Sequence, residues 1–365
     1  MRYVINKVLV KTRREIGATA FTFNGNKLFI LNGFIYAYID VGNTKDILKL
    51  GRDGNILMKH ILNDTYYGGN LPIIANNAIY HIINNNKKLP TILKDDMNLN
   101  RIKIFEINDL DRIYNISIIN DYIYILGNTD NTTVLCKLTE NGGLQWKYPI
   151  DDNTIISPLT NDKVIATINN NNNYSYIVIN NNGELEHNYL ICNNAYYTKI
   201  YNPIIDNTSA MTLLCTLIHK ENHKDTLTRV CIIDASGIEC CRQDINAIIQ
   251  VFCFYNQKYI VYKTGNMHIN DIYLYNMLSN RNIANTIVPT KRLSLAFIKK
   301  IKKVDNNFIV IISGDGYFKF ICLNMELIHI WNFDFQGNLV DADFEDGHIY
   351  FLTDNEIGIY QIDKV

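Results

Sequence analysis

The feature that most constrains this chain is a hairpin pattern that recurs along almost its whole length. An apolar run of about four residues meets a short polar turn, and a second run rich in Ile, Tyr and Phe follows at once. The pattern is clearest around the turns at residues 24–27 and 120–121. Similar turns are predicted at Asn76-Asn77, Asn161-Asp162, Asp206-Asn207, Asn256-Gln257, Asp305-Asn306 and Asp346-Gly347. Their mean spacing is about 46 residues, which is the length of a strand-built repeat.

Each hairpin is followed by a second one, whose turn carries polar residues and a glycine. Residues 47–57, 134–146, 176–185 and 230–238 have this form. Glycine supplies the positive φ that such a turn requires. Four strands in each repeat of 40 to 50 residues, without helical periodicity, are typical of β-propeller blades.

We therefore predict an all-β chain that forms one closed β-propeller domain of four-stranded antiparallel blades over residues 1–365. Eight blades are favoured, and seven are the alternative if residues 66–110 are an insertion. The last repeat shows only three strands, whereas residues 3–11 form a strand without a partner. We expect this N-terminal strand to complete the last blade and close the ring, which removes two exposed sheet edges. The predicted blades are 17–62, 66–110, 112–150, 153–191, 196–244, 247–287, 293–334, and 338–363 with 3–11.

Two segments resemble a known group of propellers. Gly143-Leu144-Gln145-Trp146 and residues 326–331, which end in Trp331, look like the G-x-x-W segments of quinoprotein-like propellers with PQQ-type repeats. The resemblance implies the fold and not the cofactor, so none is predicted. The vicinal pair Cys240-Cys241 is interpreted as two small residues on an outer strand. Because the chain has only two tryptophans, we do not expect the group's regular tryptophan docking.

Composition limits the class of protein. The formal net charge is −1, so no global field attracts nucleic acid or an anionic membrane. No apolar stretch is long enough to span a bilayer, and the first seven residues do not resemble a signal peptide. We therefore predict a monomeric, cytoplasmic protein that binds neither membrane nor specific nucleic acid. The eight cysteines form no CxxC pair, and we predict mostly buried free thiols and no metal site.

The chain is rich in asparagine, with runs at 84–86, 169–173 and 180–182. We interpret these runs as AT-rich codon drift as much as local design, because asparagine is tolerated in turns.

The predicted strand order sorts the loops by face. Loops that link one blade to the next share a face, here called the upper face, with loops that join strands two and three. The longest polar segments predicted there are 84–100, 169–173, 218–226 and 264–270. Basic residues are predicted on the same face: Lys11, Arg13 and Arg14 before the first blade, and Lys291 and Arg292 before the seventh, across a loop at Asp334. Such a cluster fits an acidic peptide or a phosphate.

Three other segments carry polar or basic residues at close spacing. His219 and His223, with Glu221 between them, are interpreted as a solvated loop rather than a metal site. Residues 313–316 are interpreted as a strand-connecting turn, because the Gly-Lys-Ser/Thr ending of a phosphate loop is absent. The lysines at 299, 300, 302 and 303 are expected on the opposite face, near the turn at Asp305.

No catalytic motif is present, so the catalytic residues stay unknown. The first hypothesis is a non-enzymatic scaffold that binds a protein or peptide partner on the upper face. The second is a hydrolase or lyase that acts on a small molecule or glycan at the central channel. The third is a glycan-binding lectin.

Overall fold

The structure of the chain is a computed structural model, and it describes the following residues: 3–16, 18, 28–31, 34–41, 44–62, 73–84, 89–119, 122–130, 132–139, 141–150, 156–160, 163–170, 173–193, 195–200, 204–205, 211–219, 221, 226–245, 249–255, 259–266, 269–276, 288–289 and 298–365. Every regular element in these ranges is a strand. The chain divides into two compact units, Met1–Thr65 with Ile249–Val365 as the first and Tyr66–Ile248 as the second. The all-β prediction is confirmed.

The strands are named in chain order. The first unit begins with β1 (Tyr3–Thr12), β2 (Leu28–Leu31), β3 (Phe34–Val41), β4 (Thr44–Leu50) and β5 (Ile56–Leu62). The second unit contains β6 (Ile73–Ala75), β7 (Ala78–Ile83), β8 (Thr91–Asp96), β9 (Arg101–Glu106), β10 (Arg112–Ile119), β11 (Tyr122–Thr129), β12 (Thr132–Leu138), β13 (Leu144–Pro149), β14 (Ile156–Thr160), β15 (Lys163–Asn170), β16 (Asn173–Asn180), β17 (Leu185–Cys192), β18 (Tyr196–Ile200), β19 (Ile204–Ile205), β20 (Met211–His219), β21 (Thr226–Ile233) and β22 (Glu239–Ile245). The first unit resumes with β23 (Ile249–Tyr255), β24 (Tyr259–Asn266), β25 (Ile269–Asn276), β26 (Val288–Pro289), β27 (Ile298–Val304), β28 (Asn307–Gly314), β29 (Tyr317–Asn324), β30 (His329–Gln336), β31 (Leu339–Glu345), β32 (His348–Thr353) and β33 (Glu356–Lys364).

The sheets are antiparallel, and in most of them strands adjacent in sequence pair with one another; in the fifth sheet β18 and β19 both pair with β20. Within the described residues, the second unit holds the second to fifth sheets, β6–β9, β10–β13, β14–β17 and β18–β22. The first unit holds the first sheet, β2–β5, the sixth, β23–β26, and the seventh, β27–β30. The eighth sheet has the order β1-β33-β32-β31. Short polar turns make this pairing local, as the repeated hairpins predicted.

The eighth sheet joins the two ends of the chain. β1 pairs antiparallel with β33, from Tyr3 opposite Lys364 to Thr12 opposite Glu356. The N-terminal strand is thus the outer strand of the last sheet, as predicted. Its side chain Leu9 packs directly over Gly54, in the turn between β4 and β5 of the first sheet.

The turns between the third and fourth strands share one hydrogen-bonded form. In four of them the first residue is Asp or Asn, and its Oδ1 accepts backbone N–H groups two and four residues later; these residues are Asp96, Asn180, Asp234 and Asn324. The strand pairing shifts register beside each turn, as in a hairpin with a bulge. Gly183, with φ +84°, takes the left-handed position that the sequence assigned to glycine.

The glycines of these turns dock on the outer strand of the preceding sheet. In the second unit, Gly142 lies against Phe105 and Gly183 lies against Trp146. Gly237 contacts His187 in the same way, and Leu9 over Gly54 is the equivalent pair in the first unit. An aromatic or aliphatic side chain therefore covers a glycine at successive sheet boundaries. Tryptophan makes this contact only at Gly183, among the pairs named here. Phe105, His187 and Leu9 occupy the equivalent position at the other boundaries.

The core lies between adjacent sheets. One cluster joins the eighth and first sheets, with Tyr350, Leu352 and Ile359 packed near Ile35 and Leu48. In the second unit, clusters of buried residues lie likewise between the second and third, third and fourth, and fourth and fifth sheets.

Two loop predictions need correction. The predicted polar loop 84–100 contains β8, in which Ile92 and Leu93 are buried. Asp334 lies in strand β30 and not in a loop, and its carboxylate pairs with Lys319 at 2.8 Å. In both cases polar residues interrupt an apolar strand pattern and imitate the composition of a loop.

Candidate functional site

The basic segment after β1 is held in a turn. Glu15 Oε2 accepts hydrogen bonds from the backbone N–H and the hydroxyl of Thr12, at 2.6 and 2.7 Å. These hydrogen bonds, the backbone one first, lower the pKa of Glu15. The backbone N–H of Arg13 donates to the carbonyl of Asn355 at 2.6 Å. Arg14 is exposed, whereas Lys11 and Arg13 are half-buried.

Hydrogen bonds connect this turn to three others at the same end of the seventh and eighth sheets. Asn338 is central: its Oδ1 accepts from Gly316 N at 3.0 Å, and its Nδ2 donates to Asp354 Oδ2 at 2.9 Å. The backbone N–H of Gly337 also donates to Gly316 O at 2.8 Å. Residues 13–16, 315–316, 337–338 and 354–355 are called the loop belt below. Hydrogen bonds thus connect the four loops of the belt to one another.

The loop belt carries charges of both signs. Arg13 and Arg14 lie in it together with Asp315, Asp354 and Glu15. It is therefore more mixed than the basic cluster predicted from the sequence. Lys291 and Arg292, the second half of that cluster, lie outside the described residues.

The lysine run at 299–303 lies along β27, the first strand of the seventh sheet, which ends at Val304 beside the turn at Asp305. Lys302 Nζ lies 2.9 Å from Asp343 Oδ1, and Lys300 Nζ lies 3.5 Å from the same oxygen. Asp343 is on β31, so the lysines connect the first strands of two adjacent sheets.

Three carboxylates on β31 were missed in the sequence. Asp341, Asp343 and Glu345 alternate along this strand. Asp341 is almost fully buried, and its oxygens accept the backbone N–H groups of Leu28 and Ala342 at 3.0 and 2.9 Å. The alternation Asp-Ala-Asp-Phe-Glu was a usable signal, because residues two apart share one face of a strand.

Two other charged networks lie inside the second unit. His81 Nε2 lies 3.2 Å from Asp95 Oδ2, both side chains are fully buried, and Arg101 Nε donates to the other carboxylate oxygen. Burial alone would raise the pKa of Asp95, but hydrogen bonds from His81 and Arg101 outweigh it and hold the pKa below its usual value. These three residues lie on successive strands of the second sheet, so the network stabilises the sheet.

A second network joins the fourth and fifth sheets. Arg242 forms a double hydrogen bond with Glu239, 2.7 Å at each oxygen, and the hydroxyl of Tyr176 donates to the same carboxylate. Burial raises the pKa of Tyr176, as does its hydrogen bond to Glu239. All three groups are occupied by one another, and the phenol is poorly suited to titrate.

The remaining sequence candidates stay without a site. His219 ends β20 and contacts Tyr196 edge to face, while His223 lies outside the described residues. Of the turn predicted at 313–316, residues 315–316 form the connection between β28 and β29, while residues 313 and 314 belong to β28. Among the described residues, no group of three or more His, Cys, Asp and Glu side chains is arranged to hold a metal ion. Cys240 is exposed and unbridged on the outer strand β22.

No helix in the described ranges is both long and apolar enough to cross a membrane.

Comparison with known proteins identifies the fold and not a function. No protein-family model matches the sequence, and no curated protein is significantly similar to it. Among solved structures, BamB from Moraxella catarrhalis is similar over 98% of this chain and 100% of its own, with a TM-score of 0.57 and 10% identity. The Dos1 propeller is similar over 94% and 95%, with a TM-score of 0.57 and 12% identity. A eukaryotic initiation factor structure covers 87% and 88%, with a TM-score of 0.54 and 7% identity. At such low identity these likenesses concern the fold alone, and they show a β-propeller fold, as the resemblance in the sequence implied.

Proposed function

We propose that this chain is a non-enzymatic propeller scaffold that binds a protein or peptide partner through the loop belt and the adjoining basic residues. The observation that carries the proposal is the hydrogen-bonded connection of the four loops through Asn338, Asp354 and Arg13. A surface that is already ordered loses less conformational entropy when a partner binds. Exposed Arg14 is the cation best placed to meet an acidic group of that partner.

The proposal includes an eight-bladed closed ring. The eight sheets of the described residues would each be one blade, with β1 as the outer strand of the last. Loop-rich faces of repeat folds are common binding surfaces, because loops vary while the strands position them. A cytoplasmic location and a monomeric state stay predictions from the sequence.

The occupied carboxylates favour a scaffold over an enzyme at the first strands. Asp341 accepts two backbone N–H groups, and Asp343 accepts the N–H of Phe344 while it pairs with Lys302. A general acid or base needs a free oxygen within hydrogen-bond reach of substrate. Asp341, at 4% exposure, does not meet that requirement.

The test is quantitative affinity capture from the native cell lysate, read by mass spectrometry. The wild-type chain is compared with the triple variant Arg13→Glu, Arg14→Glu, Arg292→Glu. A matched control is Arg52→Glu, since Arg52 is an exposed arginine at the opposite end of the sheets, paired with Asp346 at 2.9 Å. We expect a stoichiometric partner that the triple variant loses and the control retains.

Equal capture by all three proteins would show that the loop belt is not the binding surface. Circular dichroism and the melting temperature of the triple variant must match those of the wild type, so that loss of capture is not loss of fold. A partner that is lost with Arg52→Glu and retained by the triple variant would place the site at the opposite end.

A further inference from the structure

The lysines of β27 have hydrogen-bond donors left over. A lysine ammonium group has three N–H donors and no acceptor. Lys302 donates to Asp343 Oδ1 and to the carbonyl of Phe344, each at 2.9 Å, which leaves one N–H. Lys300 donates to the carbonyl of Ala342 at 3.3 Å and lies 3.5 Å from Asp343 Oδ1, which also leaves at least one.

The two ammonium groups are positioned as a pair. Both lie within ion-pair distance of one carboxylate oxygen, so a single small anion is able to contact both. The side chains of Lys300 and Lys302 are 37% and 35% exposed, whereas that of Asp343 is only 14% exposed. The two lysine side chains are therefore more exposed to solvent than the carboxylate with which they pair.

The surrounding charge favours an anion. Lys299 is exposed on the same strand and adds a third positive charge. The opposing carboxylates are Asp343 and Glu345, since Asp341 is buried and bound to backbone N–H groups. Three ammonium groups against two carboxylates leave the strip cationic.

We propose that Lys300 and Lys302, with Lys299 beside them, form a binding site for a multiply charged phosphate group. A phosphate offers three strongly accepting oxygens, which match the leftover donors of two or three ammonium groups. Lysine binds phosphate as a point charge and does not need the planar fork that arginine presents to a carboxylate. This site lies on β27, not in the loop belt, and does not depend on the proposed scaffold function.

The first experiment is isothermal titration calorimetry of the full chain with inorganic tripolyphosphate and, separately, with phenyl phosphate. We expect the double variant Lys300→Gln, Lys302→Gln to weaken binding by at least about tenfold, because it removes two ion pairs. The matched control is Lys319→Gln, which removes a lysine of the same sheet that pairs with Asp334 at 2.8 Å. The control should bind as the wild type does. Tripolyphosphate and phenyl phosphate distinguish a polyphosphate chain from a phosphate ester.

The second experiment uses a variant that should strengthen binding, which is a result that damage to the fold would not produce. Asp343→Asn removes the negative charge beside both ammonium groups while keeping an oxygen for Lys302. We expect it to tighten tripolyphosphate binding by about fivefold, through loss of a repulsive charge at short range. Unchanged or weaker binding by this variant would refute the site.

Two further outcomes would also overturn the proposal. One is wild-type binding that the double variant retains. The other is equal, lysine-dependent binding of citrate, which would show a general carboxylate site. Charge reversal at Arg13 and Arg14 should leave phosphate binding unchanged, so failure here is distinguishable from failure of the scaffold proposal.

Discussion

The indole ring of Trp146 lies against Gly183 of the next sheet, and its Nε1 donates to the carbonyl of Asn181 at 2.9 Å. Lys137 Nζ donates to the same carbonyl at 3.3 Å. One backbone oxygen thus receives two donors from the third sheet. This contact fixes where the turn of the fourth sheet lies, and it requires residue 183 to lack a side chain.

Replacement of Gly183 by alanine should destabilise the protein. A Cβ there would lie 2.7 Å from Trp146 Cγ, and the φ of +84° is unfavourable for any L side chain. We expect a loss of about 2–4 kcal/mol from the two effects combined. The measurement is the free energy of unfolding in urea.

Gly316→Ala is the matched control for that variant. Gly316 also has a positive φ, +74°, but a Cβ on it would have no neighbour within 4 Å. It should therefore show only the conformational cost, about 1 kcal/mol. Equal losses in the two variants would mean that the contact with Trp146 is unimportant.

Lys137 should make stability depend on alkaline pH. Burial lowers the pKa of Lys137, whose ammonium group lies 3.7 Å from the centre of the Tyr122 ring. Between this lowered pKa and the unfolded value of about 10.4, the unfolded chain binds more protons, so stability from this group rises with pH. In Lys137→Met that rise should disappear. The check is the difference in unfolding free energy between wild type and variant from pH 7 to 10.5.

Lys147→Met serves as the control for Lys137. Lys147 lies on the adjoining strand β13, is 30% exposed, and pairs with Asp109 at 3.5 Å. The alkaline rise should persist in this variant. A flat difference between wild type and Lys137→Met would show that the ammonium group of Lys137 is well solvated.

The repeat pattern was sufficient to predict the strands of the sheets but not the side-chain contacts between one sheet and the next. Turn chemistry is local, so hairpins such as that at Asp346-Gly347 follow from sequence, and their positive φ values were predictable. Contacts between sheets depend on register and are not local. The pairing of Lys302 with Asp343 joins strands about 40 residues apart, and no spacing rule indicates it.

Two residues in the asparagine runs have structural roles that composition did not predict. Asn84, in the run at 84–86, exchanges two hydrogen bonds with the backbone of Ile113, at 2.6 and 2.9 Å. Asn180, in the run at 180–182, accepts two N–H groups of its turn. Composition alone does not separate these residues from codon drift.

The buried network of His81, Asp95 and Arg101 was not predicted, because Asp95 lies within the segment 84–100 that was predicted as a polar loop.

Asp95→Asn should cost about 3 kcal/mol, because it leaves His81 and Arg101 without the charge that compensates them. The pKa of Asp95 is held below its usual value, so its contribution is present above the unfolded pKa of about 3.9 and is lost as pH falls through the folded pKa. The difference between wild type and variant should therefore shrink in acid. Urea unfolding at pH 7 and at pH 3 measures it.

Asp96→Asn is the neighbouring control. Asp96 accepts the backbone N–H groups of Asn98 and Asn100 at 2.7 and 2.8 Å, and asparagine does the same at position 180. We expect a change below about 1 kcal/mol, since the accepting oxygen is kept. A larger loss for Asp96→Asn than for Asp95→Asn would contradict the assignment of the buried network.

The N-terminal strand should contribute to the stability of the protein mainly through Leu9 and only slightly through Val8. Leu9 packs over Gly54, whereas Val8 is 39% exposed at the register shift between β1 and β33. Leu9→Ala should destabilise by about 1–2 kcal/mol, less than a fully buried leucine because Leu9 is half-buried. Val8→Ala should stay within about 0.5 kcal/mol of the wild type. The two variants are compared by their urea midpoints, and similar midpoints would show that β1 adds pairing to β33 without docking on the first sheet.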